Sequence, residues 1–206
     1  MRLAIFGTGG MGREVADIVA RSPRLRERYG ALAFVVDAPA GPVQGIPVVH
    51  PDALGPDDVL CLAVGSSPDR RKLAARFAGR RFATIVSDHA IVSPAARLGA
   101  GAIVCDFAVV NNSTMVGDHF LANVYAQVSH DCRLGDYVTL SPKASCNGWV
   151  EMEDEVFVGA GAVIRNGSPA RRLHIGAGAV IGMGAVVTKD VPAGATAIGT
   201  TLRMPG

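Results

Sequence analysis

Residues 92–169 divide, six at a time, into VSPAAR, LGAGAI, VCDFAV, VNNSTM, VGDHFL, ANVYAQ, VSHDCR, LGDYVT, LSPKAS, CNGWVE, MEDEVF, VGAGAV and IRNGSP. In all thirteen units the first slot is apolar: Val92, Leu98, Val104, Val110, Val116, Ala122, Val128, Leu134, Leu140, Cys146, Met152, Val158 and Ile164. The fifth slot is mostly small, as at Ala96, Ala102, Ala108, Ala126, Cys132, Ala144 and Ala162, with Phe120, Val138, Val150 and Val156 as larger members. A six-residue period matches neither the turn of a helix nor the alternation of a hairpin strand. It matches a β-solenoid in which each hexad is one flat side and three sides close a coil. After a five-residue interruption at 170–174 (ARRLH), read as an inserted loop, the frame resumes as IGAGAV, IGMGAV, VTKDVP and AGATAI. Seventeen hexads predict five to six coils. Glycine and Asn or Asp in the second and third slots are expected to supply the positive φ or tight-turn geometry of the corners. Periodicity alone leaves the hand of the coil open.

Ahead of the repeats the pattern changes. Leu3 to Phe6 reads as a buried strand, GTGGMG follows as a turn, and Val15, Ile18 and Val19 have helical spacing. A second strand, AFVVD, ends at Asp37, and a turn-rich stretch leads to the short extended segment IPVVH. VLCLAVG at 59–65 reads as a buried parallel strand, SSPDRRKLAARFAG as a helix with a Ser-Pro start, and RFATIV as a closing strand. The order β-α-β-β-α-β predicts a small Rossmann-like α/β domain over 1–88, joined through SDHAIVSP to the solenoid of 89–206. Half a dinucleotide fold suits a mononucleotide better than a whole NAD. Gly7, Gly9, Gly10 and Gly12 would offer backbone donors to a phosphate, with Arg13 adding charge at the helix start. Asp37 could bind a base or ribose hydroxyl, with Gly65 and Ser66 as the facing wall. The competing reading is a Rossmann-like relic used only for packing.

Composition narrows the function. At 206 residues, 49% hydrophobic and 18% charged, the chain has apolar content for one large core or two small ones, which excludes disorder. Its 5% aromatic content beside 25 glycines suits repetitive β structure. A formal charge of +2 is too weak to imply nucleic acid or a membrane surface as partner. No apolar stretch is long enough to span a membrane, and MRLAIFGTGGMG lacks the features of a secretory signal, so a cytoplasmic location is expected. The four cysteines, Cys61, Cys105, Cys132 and Cys146, carry no CxxC spacing and are expected to be reduced thiols.

With both regions in view, the chain resembles the hexapeptide-repeat acyltransferases of the sialic-acid O-acetyltransferase type, a group that includes nucleotide-amino-sugar N-acetyltransferases. The resemblance rests on GTGGMGREV, VVD, AVGSSPDRR, VSHDCRLGDYVTLSP and IGAGAVIGMGAVVTKDVPAG and covers nearly the whole length. It implies a left-handed parallel β-helix, a homotrimer with active sites between neighbouring subunits, and acetyl-CoA as donor. The sequence departs from that pattern in four places. Met11 stands where relatives carry a histidine facing the nucleotide, and Asp37 is followed by Ala38 where they often have a second acid. The C-terminal GxPA segment is replaced by GTTLRMPG, and Thr139 stands where some UDP-sugar enzymes carry a second site histidine.

Acetyl transfer to a sugar amine or hydroxyl needs a base, and histidine is best matched to neutral pH. His130, in the outward third slot of VSHDCR, is the candidate, and the SHDC resemblance favours it over a solvated surface histidine. Asp131 could fix its tautomer and stabilise the imidazolium. His50, His89, His119 and His174 lack such support, and with no HxxxxH spacing a zinc site is not expected. The resemblance further implies Asn123 near the acceptor, where a plain corner residue is the equal alternative. It places Gly148 beneath the thioester end of CoA, where a turn glycine is the alternative. Gly159, Gly161, Ala177 and Ala185 would line the pantetheine path, with Lys189 or Arg203 available for CoA phosphates.

The leading expectation is therefore an acetyl-CoA-dependent N-acetyltransferase acting on a nucleotide-linked amino sugar in surface polysaccharide synthesis, by direct attack and without metal. The alternatives are O-acetylation of sialic acid or another free sugar, and a non-catalytic trimeric scaffold. The nucleotide, UDP, GDP or none, stays open.

Overall fold

The computed structural model describes residues 1–199. The N-terminal unit is a four-stranded parallel sheet, β1 (Arg2–Phe6), β2 (Ala31–Val35), β3 (Val48–Val49) and β4 (Val59–Leu62), in the order β3-β2-β1-β4. Its strands are runs of apolar residues because both faces are covered. Leu3, Ile5 and Phe34 pack against Val15, Ile18 and Val19 of α1 (Gly10–Arg21), while Ala4, Phe6, Leu60 and Leu62 pack against Ala74 of α3 (Ser67–Arg76) and against Phe77. A short α2 (Pro23–Arg28) starts where the Ser22 side chain accepts the Leu25 N–H, with Pro23 at the first turn. RFATIV does not form the expected closing strand. Phe82 makes one parallel bridge to Leu60, and Ile85–Val86 already belongs to the solenoid.

The solenoid is a left-handed parallel β-helix with three faces. The first carries Ile85–Val86, Ile103–Val104, Leu121–Ala122, Thr139–Leu140, Phe157–Val158, Val180–Ile181 and Thr196–Ala197. The second carries Ile91–Val92, Val109–Val110, Gln127–Val128, Ser145–Cys146, Val163–Ile164 and Val186–Val187. The third runs from Arg97–Leu98 through Met115–Val116, Arg133–Leu134 and Val150–Met152 to Leu173–Ile175. Partners such as Met115 and Arg133, or Gln127 and Ser145, stand eighteen residues apart, which is three hexads per coil. First- and fifth-slot side chains fill the interior, from Val104 and Ala108 to Ile181 and Ala185.

Three details of the expected frame change. Positive φ falls in the fourth slot, at Phe107, Ser113, His119, Tyr125, Asp131, Tyr137, Lys143, Trp149 and Glu155, and, Gly194 of the last coil apart, not in the second or third. Second-slot glycines answer to close packing instead: a Cβ on Gly117 would lie 2.7 Å from the Gly135 carbonyl oxygen of the next coil. The extra residues lie between Val163–Ile164 and Leu173–Ile175, so Leu173 and His174 are strand residues and not loop. Finally, Val191 bridges Ile175 and Thr196 pairs with Val180, a step of sixteen residues, so the last coil is two residues shorter than the repeat.

The N-terminal unit sits on the first face, which explains why outward residues there are apolar: Ile85, Ile103 and Leu121 are fully covered. Arg70 crosses this junction, 1% exposed, donating to the carbonyls of Val64 (2.8 Å), His119 (3.0 Å) and Tyr137 (2.8 Å) and to Thr139 Oγ1 (2.8 Å). Burial pushes its guanidinium down to about 10, still ionised at neutral pH. Among the described residues no helix is long and apolar enough to cross a membrane.

Candidate active site

His130 and Gly148 hold the third slot of units eighteen residues apart, so the coil stacks one on the other at the corner between the second and third faces. A Cβ on Gly148 would stand 2.8 Å from His130 Cε1 and 2.9 Å from Nε2, so only glycine leaves the ring its place. Asp131 has φ 59°, and this left-handed turn swings its carboxylate back to 2.8 Å from His130 Nδ1. With the carboxylate accepting at Nδ1, the neutral ring keeps its lone pair on Nε2. The imidazole is 54% exposed, open to an incoming proton donor. Trp149 stands edge-on to it, with ring centroids 6.5 Å apart. The Gly148 N–H donates to no backbone carbonyl among the described residues. The cysteines are buried and free, and burial holds Cys61 and Cys105 up at about 12, so neither offers a thiolate nucleophile.

The other CoA candidates divide between corners. Lys189 shares the His130 corner, in a cavity of about 430 Å³ that Arg165, Arg171 and Arg172 also line. Gly159 and Gly161 lie at the corner between the first and second faces, as does Asn123, whose side-chain oxygen accepts the Val124 N–H at 2.7 Å. Gly159 is required by packing, since a Cβ there would meet the Met183 nitrogen at 2.6 Å, and Gly161 has φ +66° and open space around it. Ala185 points into the core. Ala177 lies at the third corner, its N–H donating to Glu153 at 2.7 Å. Within one chain these residues do not form a single path. Arg203 lies outside the described residues.

In the N-terminal unit the four glycines do different jobs. Gly7 has φ +104°, and a Cβ on Gly12 would lie 1.9 Å from the Gly7 oxygen, so these two make the turn and seat the helix. Gly9 and Gly10 face open space, Gly9 caps α1 without any side-chain cap, and Arg13 reaches back to the Thr8 carbonyl at 3.3 Å. That leaves the first N–H groups of α1 available to an anion. Asp37 is paired with Arg76 at 2.7 Å, and this hydrogen bond holds its carboxyl below the usual range. Ser66 caps α3 through Asp69 N–H at 3.3 Å, and the Gly65 carbonyl accepts from Arg70 at 3.2 Å and from Thr139 Oγ1 at 3.3 Å, so the first starts the helix and the second serves the domain junction. Met11 packs against the core, and Thr139 is buried against Ser67 and Arg70, away from His130.

His119, read from the sequence as an unremarkable corner residue, is 4% exposed between Phe82 and Tyr137. Burial lowers its pKa below the usual histidine value. Sequence reading passed over Arg70, Trp149 and Arg172. Of these only Trp149 carried a signal, as the one tryptophan, placed directly after Gly148. No group of three or more metal-ligating side chains occurs among the described residues.

Residues 2–77 match the PglD N-terminal domain family. A GDP-perosamine N-acetyltransferase of Escherichia coli O157:H7 is 40% identical over 209 residues, covering 97% of this chain and 94% of that protein. The acetyltransferase domain of PglB from Neisseria gonorrhoeae FA1090, solved with acetyl coenzyme A, superposes with a TM-score of 0.86 at 33% identity over 96% of both chains. PerB from Caulobacter crescentus, solved with CoA and GDP-perosamine, gives 0.80 at 30% identity over 100% of this chain and 98% of that one. These relatives carry both the small α/β unit and the coil, and the chain belongs to the hexapeptide-repeat sugar acetyltransferases, acyltransferases that use acetyl-CoA.

Proposed function

We propose that this protein transfers the acetyl group of acetyl-CoA to the amine of a GDP-linked amino sugar of the perosamine type, with His130 as general base. The observation that carries the reading is the His130 imidazole, fixed at Nδ1 by Asp131 and presenting Nε2 above a corner that only glycine can occupy. The sugar amine attacks the thioester carbonyl while Nε2 takes its proton, and the Gly148 N–H, without a backbone acceptor among the described residues, would meet the developing oxyanion. Collapse breaks the carbon–sulfur bond, and the imidazolium returns the proton to the departing CoA thiolate. Asp131 stabilises that imidazolium throughout. The nucleotide's phosphates sit at the open glycines Gly9 and Gly10 and the start of α1, with Arg13 beside them.

The working unit in this reading is a homotrimer in the cytoplasm. Ile91, Val109, Val163 and Val186 form an outward apolar stripe on the second face, interrupted by Gln127 and Ser145. Asn123 and Gly159 lie on one edge of that face and His130 and Gly148 on the other, roughly 15 Å away at strand spacing. A second copy packed on the stripe would bring the two edges together, which supports an active site shared between protomers.

Purified protein with acetyl-CoA and GDP-perosamine is expected to release free CoA thiol and form the N-acetyl sugar nucleotide. His130→Asn should lower the rate about 10²- to 10⁴-fold with folding unchanged. Turnover of UDP-linked amino sugars or free sialic acid in preference would replace the acceptor, and full activity in His130→Asn would remove the base.

A further inference from the structure

The residues inserted after the second face are hung on the catalytic corner. Gly167 N–H donates to the Gly148 carbonyl at 2.9 Å, and Leu173 N–H donates to the Trp149 carbonyl at 3.0 Å. The two ends of the loop thus grip the two residues packed against His130. Between them Arg172 turns inward. Its guanidinium lies 5.0 Å over the Trp149 ring, and its Nη1–H donates to the Asp131 carbonyl oxygen. Trp149 closes the circuit, with its N–H donating to the His130 carbonyl at 3.2 Å and its ring edge-on to the imidazole. Asp131 and Trp149 both hold left-handed φ, at 59° and 60°, as the fourth-slot residues of the other corners do, so the two stack in register and Arg172 reaches both.

We propose that Arg172 is a positioning residue for acetyl transfer: it clamps Asp131 and Trp149 together, and so fixes where His130 presents Nε2. The proposal rests on His130 being the base. A planar guanidinium suits the task because its edge donates to the carbonyl while its face covers the indole; a lysine ammonium supplies charge without that flat surface. A side chain used instead to hold a CoA phosphate would act on acetyl-CoA binding and not on the chemical step.

The test compares Arg172→Met, Arg172→Lys and His130→Asn in the full-length protein. Trp149 is the sole tryptophan, so intrinsic emission reports on this contact directly. Arg172→Met is expected to lower kcat on the order of tenfold to a hundredfold, with KM for both substrates within about twofold, and to shift the emission to longer wavelength. Arg172→Lys should recover only part of kcat. The proposal is overturned if kcat stays within about twofold of the parent in both variants, or if the loss appears in KM for acetyl-CoA with kcat intact. Should Arg172→Met fail to fold, Arg172→Lys and Trp149→Phe decide by the same criteria, each expected to lower kcat. Retained activity in His130→Asn would sink the base and this inference with it, whereas a dead His130→Asn beside normal Arg172 variants would sink the inference alone.

Discussion

At the scale of single residues, the His130 corner depends on a carbon that is missing. A Cβ at Gly148 would overlap the His130 ring, and the nearest atoms belong to the imidazole itself, so the ring is what must move. Gly148→Ala is therefore expected to cut kcat on the order of tenfold to a hundredfold, as small misplacements of a catalytic group do. Its melting temperature should hardly change, because the side chain faces outward; steady-state kinetics beside a thermal melt check both. Asp131→Asn isolates charge from shape, since asparagine tolerates the left-handed backbone that Asp131 adopts. Loss of the carboxylate at Nδ1 should lower kcat at least about tenfold without altering KM, in the manner of an orienting acid. His130 with Asp131 beside it was legible in the sequence, while Gly148 was expected under the thioester and its place against the imidazole came from the coil, which stacks equal slots three hexads apart. Arg172 was not legible, because its partners are reached through a loop that leaves the repeat and no slot rule governs it.

At the scale of elements, the corner where the first face meets the third shows how a six-residue rule can be right about position and silent about environment. His119 occupies a fourth slot like Phe107 and Tyr125, but α3 and Phe82 cover it, leaving its Nδ1 buried without a partner among the described residues. The period predicts a corner; which corner the N-terminal unit covers is a tertiary fact. Burial lowers the folded-state pKa, so the unfolded chain takes up a proton first as the medium is acidified. Stability from this group is complete above the unfolded value of about 6.5 and is lost as pH falls from there through the folded pKa. His119→Phe copies the side chain that Phe107 carries at φ 59° and removes both the titration and the unpaired nitrogen. It should be about 1 kcal/mol more stable than the parent at pH 7. It should also lack the parent's loss of stability as pH falls below about 6.5. Denaturant melts above and below that pH decide it; an unchanged slope would mean His119 is not the titrating group. The same distinction explains the misplaced φ expectation. Glycine in second slots reflects close coil-to-coil approach, while the left-handed residue follows two positions later and is usually not glycine.

At the scale of the whole molecule, two surfaces of the coil stand out, one turned to its own N-terminal unit and one open. The first is locked by Arg70, which no composition or period singled out because SSPDRR reads as an ordinary exposed helix start. Replacing it with methionine would leave the carbonyls of Val64, His119 and Tyr137 without their donor. The expected cost is about 1–3 kcal/mol for each carbonyl left buried without a donor, and thermal unfolding should split as the α/β unit melts before the coil. A single unshifted transition would assign the junction to apolar packing alone. The open surface is the second face, where Ile91 is 64% and Val186 71% exposed although the chain has charged residues to spare elsewhere. Apolar side chains aligned down one side are exposed at a cost unless another surface covers them. Val163, central to the late coils and paired on both sides, is the place to ask. A carboxylate there would have to be buried unpaired in any assembly that uses this face, a penalty of several kcal/mol per copy. Val163→Glu should therefore run as a monomer by light scattering and lose turnover with its His130 corner intact, while Met115→Glu, a more exposed apolar position on the third face, should leave assembly and activity as in the parent. If Val163→Glu keeps the parent's assembly state, or turns over as a monomer at the parent rate, the proposed site between copies does not form on the second face.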